Sequence, residues 1–174
     1  MSIDLDIAPT VTDLVCWGDL EGIWQHAIEP LYKSYLGAHP LLRELGTNRV
    51  VDKRERFIID RPYFFTFAVS NTLSLTARPN KNNLNEQEYL QDYGRNIDSE
   101  TVRDLAQRWR EAGHFYGLTS LMGRSLPEPH LFVGLASALA TVCRGYVIVM
   151  NDGILDLGVG VYSPEQFKLA QPRF

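Results

Sequence analysis

The sequence predicts an α+β fold, with helices packed on a mixed or largely antiparallel sheet, and three observations carry that expectation. Strand-like segments outnumber the helices available as crossovers between parallel strands. Neighbouring strand segments lie close enough in sequence to pair as antiparallel hairpins. One helical segment, Leu131 to Cys143, is apolar almost all round, as a helix buried at the centre of a core must be. At 174 residues the chain has the length of one ordinary domain, so residues 1–174 are read as a single unit.

The elements follow in order. Ile3, Leu5 and Ile7 alternate with polar residues and predict a strand ending at Pro9. From Leu20 the apolar positions Ile23, Trp24, Ala27, Ile28, Leu31, Tyr32, Tyr35 and Leu36 keep three- and four-residue spacing behind Asp19. That spacing predicts an amphipathic helix, kinked at Pro30 where a helical hydrogen bond is lost. Pro40 to Leu45 reads as a short helix stopped by Gly46. Arg49 to Asp60 and Tyr63 to Arg78 are rich in β-branched and aromatic residues and predict two or three antiparallel strands. Phe65, Phe67 and Val69 share one face there, and Leu73, Leu75 and Ala77 follow a break at Ser70-Asn71-Thr72. Pro79 to Asn85 holds four Asn in seven residues and reads as a surface loop.

Beyond that loop, Asn85 to Asp92 suggests a short helix. Asp98 or Ser99 caps a longer one through Val102, Leu105, Ala106 and Trp109, stopped by Gly113. Phe115 to Met122 predicts a strand, and Gly123 to Pro129 a turn. The apolar helix then runs to Cys143 with Gly145 as its cap. Tyr146 to Met150 and Ile154 to Tyr162 flank Asn151-Asp152-Gly153, a hairpin signal because Asp-Gly supplies the positive φ of a tight turn. Ser163-Pro164-Glu165-Gln166 is a capping box that opens a terminal helix through Phe167 and Leu169.

Composition narrows the function. The formal net charge of −4 argues against a nucleic-acid partner, since neutralising phosphates needs a basic excess. No window approaches the roughly 18 consecutive apolar residues of a spanning helix, so no membrane partner is expected. The first residues are acidic where a secretory signal is basic, and Cys16 and Cys143 sit among apolar neighbours as buried thiols. A cytoplasmic location is the expectation. His26, His39, His114 and His130 lack two-ligand spacing, so no metal site is expected.

Catalytic motifs fail one by one. Gly158-Val159-Gly160-Val161-Tyr162-Ser163 has Ser in place of the third Gly of a dinucleotide loop, and no phosphate-cradling Gly-Lys-Ser/Thr occurs, so no cofactor is expected. Gly117 and Gly123 are too far from Ser120 for a nucleophile elbow. One enzymatic arrangement stays open: His114 as a base, with Arg95 and Arg124 holding an anionic substrate. A recognition surface competes with it. Tyr89, Asp92, Tyr93 and Arg95, with Arg103 on the charged face of the next helix and Arg124 in the later turn, combine the aromatic, Arg and carboxylate groups that anchor interfaces. Asp4, Asp6, Asp13, Asp19 and Glu21 give the N-terminal part an acidic lean that suits a basic partner.

The C-terminal third, Leu135 to Val149, then Asn151-Asp152-Gly153, then Val161 to Phe167, resembles small bacterial immunity proteins of polymorphic toxin systems, of the type VI secretion and Rhs-like kind. The shared pattern is an apolar helix, a Gly-led strand, an Asp-Gly turn and a Ser-Pro-Glu-Glu-Phe-like terminal helix, here Ser163-Pro164-Glu165-Gln166-Phe167. The resemblance implies a non-enzymatic cytoplasmic protein that binds a cognate effector toxin and blocks its active site. The first two thirds align with no one family, which leaves the toxin open. A homodimer is compatible with this reading. An oligomeric phage or accessory structural protein is the third alternative.

Overall fold

The computed structural model describes residues 3–31, 40–66, 73–80, 85–120, 128–151 and 155–170. Among them, five helices pack on a seven-stranded sheet. In chain order the elements are β1 (Ile3–Ala8), α1 (Trp17–Leu31), β2 (Leu41–Glu44), β3 (Pro62–Thr66), β4 (Leu73–Pro79), α2 (Glu86–Tyr93), α3 (Ser99–Ala112), β5 (His114–Ser120), α4 (Glu128–Val142), β6 (Tyr146–Val149), β7 (Gly160–Tyr162) and α5 (Pro164–Phe167). The spatial order is β2-β3-β4-β5-β1-β6-β7, and every neighbouring pair is antiparallel. The α+β architecture is as the sequence predicts.

The alternation in β1 explains its place inside the sheet. Leu5 and Ile7 are fully buried on one face, among Phe65, Leu75, Leu118 and Val147 of neighbouring strands and the residues of α1 and α4. α4 is buried through Leu131, Phe132, Leu135, Ala136, Leu139 and Ala140, the central core helix expected from its apolar run. The indole of Trp24 on α1 donates to the Leu131 carbonyl at 3.1 Å, tying the two helices together.

A second, smaller layer covers the opposite face. Leu90, Val102, Leu105, Ala106 and Trp109 of α2 and α3 pack with Ala8, Phe115, Ile148 and Val161 of β1, β5, β6 and β7. Among the described residues this layer does not reach β2 or β3. On this face those strands present Leu41, Arg43, Phe64 and Thr66, all exposed or half-buried. Among the described residues the sheet therefore has one closed face and one that is covered over only part of its width.

Helix ends follow local chemistry. Asp98 accepts from the Glu100 and Thr101 amides, and Gly113 closes α3 in the left-handed region at φ 75°. Asn85 caps α2, and Ser163 and Gln166 form the expected capping box on α5.

Several expectations change. Pro40 to Leu45 is not helical: Leu42 pairs with Phe65 and is fully buried, and sheet pairing prevails over weak local propensity. Arg49 to Asp60 forms isolated bridges (Arg43 with Val50, Cys16 with Arg56, Ile59 with Ala77) in place of a strand. It is held as a loop by Arg49, whose guanidinium forks onto Glu55 at 2.6 and 2.8 Å. Arg144, not Gly145, takes the positive φ after α4, at 50°. Gly145 is required for another reason, since a Cβ there would collide with the Ala8 carbonyl. Of the strand expected over Ile154 to Tyr162, the described residues form one at Gly160–Tyr162, and Ile154 lies outside them. Tyr32, Tyr35, Leu36, Phe67, Val69, the Ser70-Asn71-Thr72 break and Asp152-Gly153 lie outside the described residues. No described helix is long and apolar enough to cross a membrane.

Candidate recognition groove

At the step where the second helical layer ends, β1 and β5 bring polar residues side by side. The face of β1 turned from the core carries Asp4 and Asp6, which register with Thr119 and Gly117 of β5. Across β5, Gly117 registers with Thr76 and Phe115 with Arg78 on β4. Because Gly117 has no side chain, the floor is open at this point. A Cβ placed there would sit 3.9 Å from both Arg78 Nε and Asp6 Oδ1, so both charged groups look onto one gap.

The wall comes from α2 and α3. Tyr89 and Trp109 meet edge to face at 5.6 Å, and Trp109 meets Phe115 of the floor at 6.3 Å. Trp109 is fixed by donating its indole N–H to the His114 carbonyl at 3.0 Å. The amide of Asn80, just past β4, donates to Glu86 and to the Trp109 carbonyl at 3.2 Å each, and Glu86 pairs with Arg110 at 3.0 Å. These contacts hold both helices to the end of β4. The resulting cavity has a volume of about 290 Å³ and is bounded by Asp4, Asp6, Arg78, Tyr89, Trp109 and Met150, among others.

Each carboxylate is aimed by one donor. Tyr89 donates its phenol proton to Asp6 Oδ2 at 2.7 Å, with Met150 Sδ 3.1 Å from the phenol oxygen, and Thr119 donates to Asp4 Oδ1 at 2.8 Å. Burial raises the Asp6 carboxyl above its ordinary value. The Tyr89 bond and the Arg78 charge pull it down, and Asp4 pushes it up. Burial, with the Asp6 charge, raises the Tyr89 phenol. Among the described residues Arg78 makes no ion pair within 4.0 Å and is exposed at the rim.

The residues expected to bind a partner divide. Tyr89 belongs to the site, where it faces the sheet and is half-buried. The Tyr93 ring meets it at a tilt of 55°, with centroids 4.9 Å apart. Asp92 and Arg95 are exposed near the end of α2, and Arg103 is exposed on α3, where its Nε donates to the Ser99 carbonyl. Arg124 lies outside the described residues.

His114, the base of the enzymatic alternative, lies in the interior. It is 2% exposed and shares the core face of β5 with Tyr116 and Leu118. Its Nδ1 lies 2.9 Å from the Ala112 carbonyl, which can only accept, so Nδ1 carries the proton. Nε2 then accepts from the Tyr116 hydroxyl at 3.2 Å, and that hydroxyl accepts from the Val15 amide at 2.9 Å. Burial holds the imidazole below its usual pKa. Cys143 is equally closed, its thiol pushed up to about 12 by burial.

No family model, no curated protein and no solved structure matches this chain. The groove residues that sequence reading did not assemble are Arg78, Trp109, Gly117, Thr119 and Met150. The available signals were a glycine within a strand pattern, which marks close approach or open space, and the acidic alternation of Asp4 and Asp6.

Proposed function

We propose that this protein is an immunity-type binder, which neutralises a cognate bacterial effector toxin by protein-protein contact in the cytoplasm. The observation that carries the reading is the groove: a sheet face that the described residues cover over part of its width, with two carboxylates fixed by Tyr89 and Thr119 beside an aromatic wall. Such a surface is assembled before any partner arrives, so little ordering entropy opposes binding. The net charge of −4 and the acidic pair favour a partner with a basic docking face, which speeds encounter as well as fixing register. The consecutive α4, β6, β7 and α5 give the C-terminal third the element order that its resemblance to immunity proteins implies.

In this reading inhibition is stoichiometric occlusion: the partner's active site is covered and no bond is made or broken. Co-expression with the effector toxin encoded beside its gene tests it. The expected result is restored growth of cells carrying the toxin and a one-to-one complex on size exclusion. Continued killing, with the protein eluting only as itself, overturns the reading.

A further inference from the structure

We infer that the cavity between Tyr89, Trp109 and the β1–β5 floor seats an arginine side chain of a partner protein, with Asp4 and Asp6 receiving the guanidinium and the aromatic wall its stem. That the arginine comes from a protein rests on the function proposed above; the chemistry of the pocket does not.

Size is the first argument. A volume of about 290 Å³ falls just below the roughly 300–1,000 Å³ range of small-molecule pockets, enough for one long side chain. The second is the state of the acceptors. Asp6 Oδ2 and Asp4 Oδ1 are occupied by Tyr89 and Thr119, which orients each carboxylate and leaves Asp6 Oδ1 looking onto the gap over Gly117. The two aspartates stand two residues apart on one strand, about 7 Å along it. A guanidinium, with five donors in a planar fork, can serve both.

The third argument is the balance of charge. Asp6 is half-buried and shares the gap over Gly117 with Arg78, yet among the described residues the two make no ion pair within 4.0 Å. Two carboxylates facing one guanidinium leave an excess of negative charge, which an incoming cation neutralises. Arginine suits the pair of carboxylates better than lysine. Its planar fork presents donors to both, where an ammonium is a point charge, and Tyr89, Trp109 and Phe115 line the side that its stem passes, together with the polarizable Met150. Arg78, exposed above the same gap, offers donors to backbone carbonyls of the inserting segment.

The test uses the whole chain labelled with ¹⁵N and titrated with N-acetyl-L-arginine methylamide. The norleucine and glutamate analogues, of similar length, serve as controls. Saturable amide shifts centred on Asp6, Gly117 and Thr119 are expected with the arginine probe alone. Asp6→Asn should weaken them by about tenfold or more, since a charge-assisted bond becomes a neutral one. Gly117→Val, which fills the floor, should abolish them while leaving distant amides unmoved. Shifts that never saturate, equal shifts with either control, or undiminished binding to Gly117→Val overturn the inference. The Gly117 variant keeps the test decisive even if Asp6→Asn folds poorly. Failure here with a toxin complex still formed removes the pocket but not the immunity reading; saturable binding without any toxin complex does the reverse.

Discussion

Oδ2 of Asp6 accepts the phenol proton of Tyr89 at 2.7 Å, joining an inner strand to a helix 83 residues further along the chain. The bond does two things: it holds α2 over the sheet and it turns the Asp6 carboxylate toward the gap above Gly117. Tyr89→Phe keeps the ring contacts with Tyr93 and Trp109 and deletes only the donor. Loss of a bond to a charged acceptor costs about 1.5–3 kcal/mol, nearer the lower end at a half-buried site. Urea unfolding of the variant should show that decrease with an unchanged denaturant slope. A difference within error of zero would mean that water replaces the phenol.

Asp6 also sets a pH dependence. Burial, the largest influence, lifts its carboxyl above the usual 3.8, so between that value and the raised one the folded state holds a proton that the unfolded chain releases. Its contribution to stability is full below the ordinary carboxylate value and is lost as the pH rises through the folded value. Asp6→Asn keeps an acceptor for Tyr89 and cannot ionise. Its stability relative to the parent protein should therefore be more favourable at neutral pH than at about pH 3.5. Denaturant unfolding at both pH values measures this, and an equal difference at each would contradict it.

These relationships show which parts of the molecule a sequence can disclose. Helix starts are local, so the Asp98 cap and the Ser163 box were legible from hydrogen-bonding groups within three residues of each cap. β2 was not, because Leu41-Leu42-Arg43-Glu44 has no strong preference of its own and becomes a strand only by pairing with Phe65 and its neighbours. Gly145 shows a subtler failure: its place after a helix suggests a cap, whereas the Ala8 carbonyl, distant in sequence, is what forbids a side chain. The groove joins β1, β4, β5 and α2, so only register reveals that Asp6, Gly117 and Arg78 share a gap. Tyr89 carried the right chemistry for a binding site, but nothing in its neighbourhood told which way it faces.

His114 tests the division between core and site. His114→Phe retains a flat ring but strips partners from the Ala112 carbonyl and the Tyr116 hydroxyl, both in the interior. A buried unsatisfied group costs about 1–3 kcal/mol, so the variant should lose about 2 kcal/mol or more. Burial lowers the imidazole pKa, so its share of the stability is present above the usual value of 6.5 and lost as the pH falls through the folded value. The phenylalanine variant should consequently show a shallower loss of stability on acidification than the parent protein. Titrations that run parallel in this range would show that His114 is protonated as readily in the fold as in the unfolded chain.

Gly117 offers the clearest separation of folding from recognition. It lies inside a central strand, where glycine is less stable than alanine by about 0.5–1 kcal/mol. A Cβ would meet its nearest neighbours, Arg78 and Asp6, at 3.9 Å, ordinary contact distance, so no steric requirement for glycine exists in the fold itself. Gly117→Ala should raise the unfolding free energy by about 0.5–1 kcal/mol and also narrow the gap that the two charged groups share. If the gap seats a side chain, the more stable variant binds the arginine probe more weakly than the parent protein, and stability and binding move in opposite directions. A variant that gains stability and keeps full binding would make this glycine dispensable to the groove, and a variant that loses stability would mean that the strand tolerates no methyl group at this position.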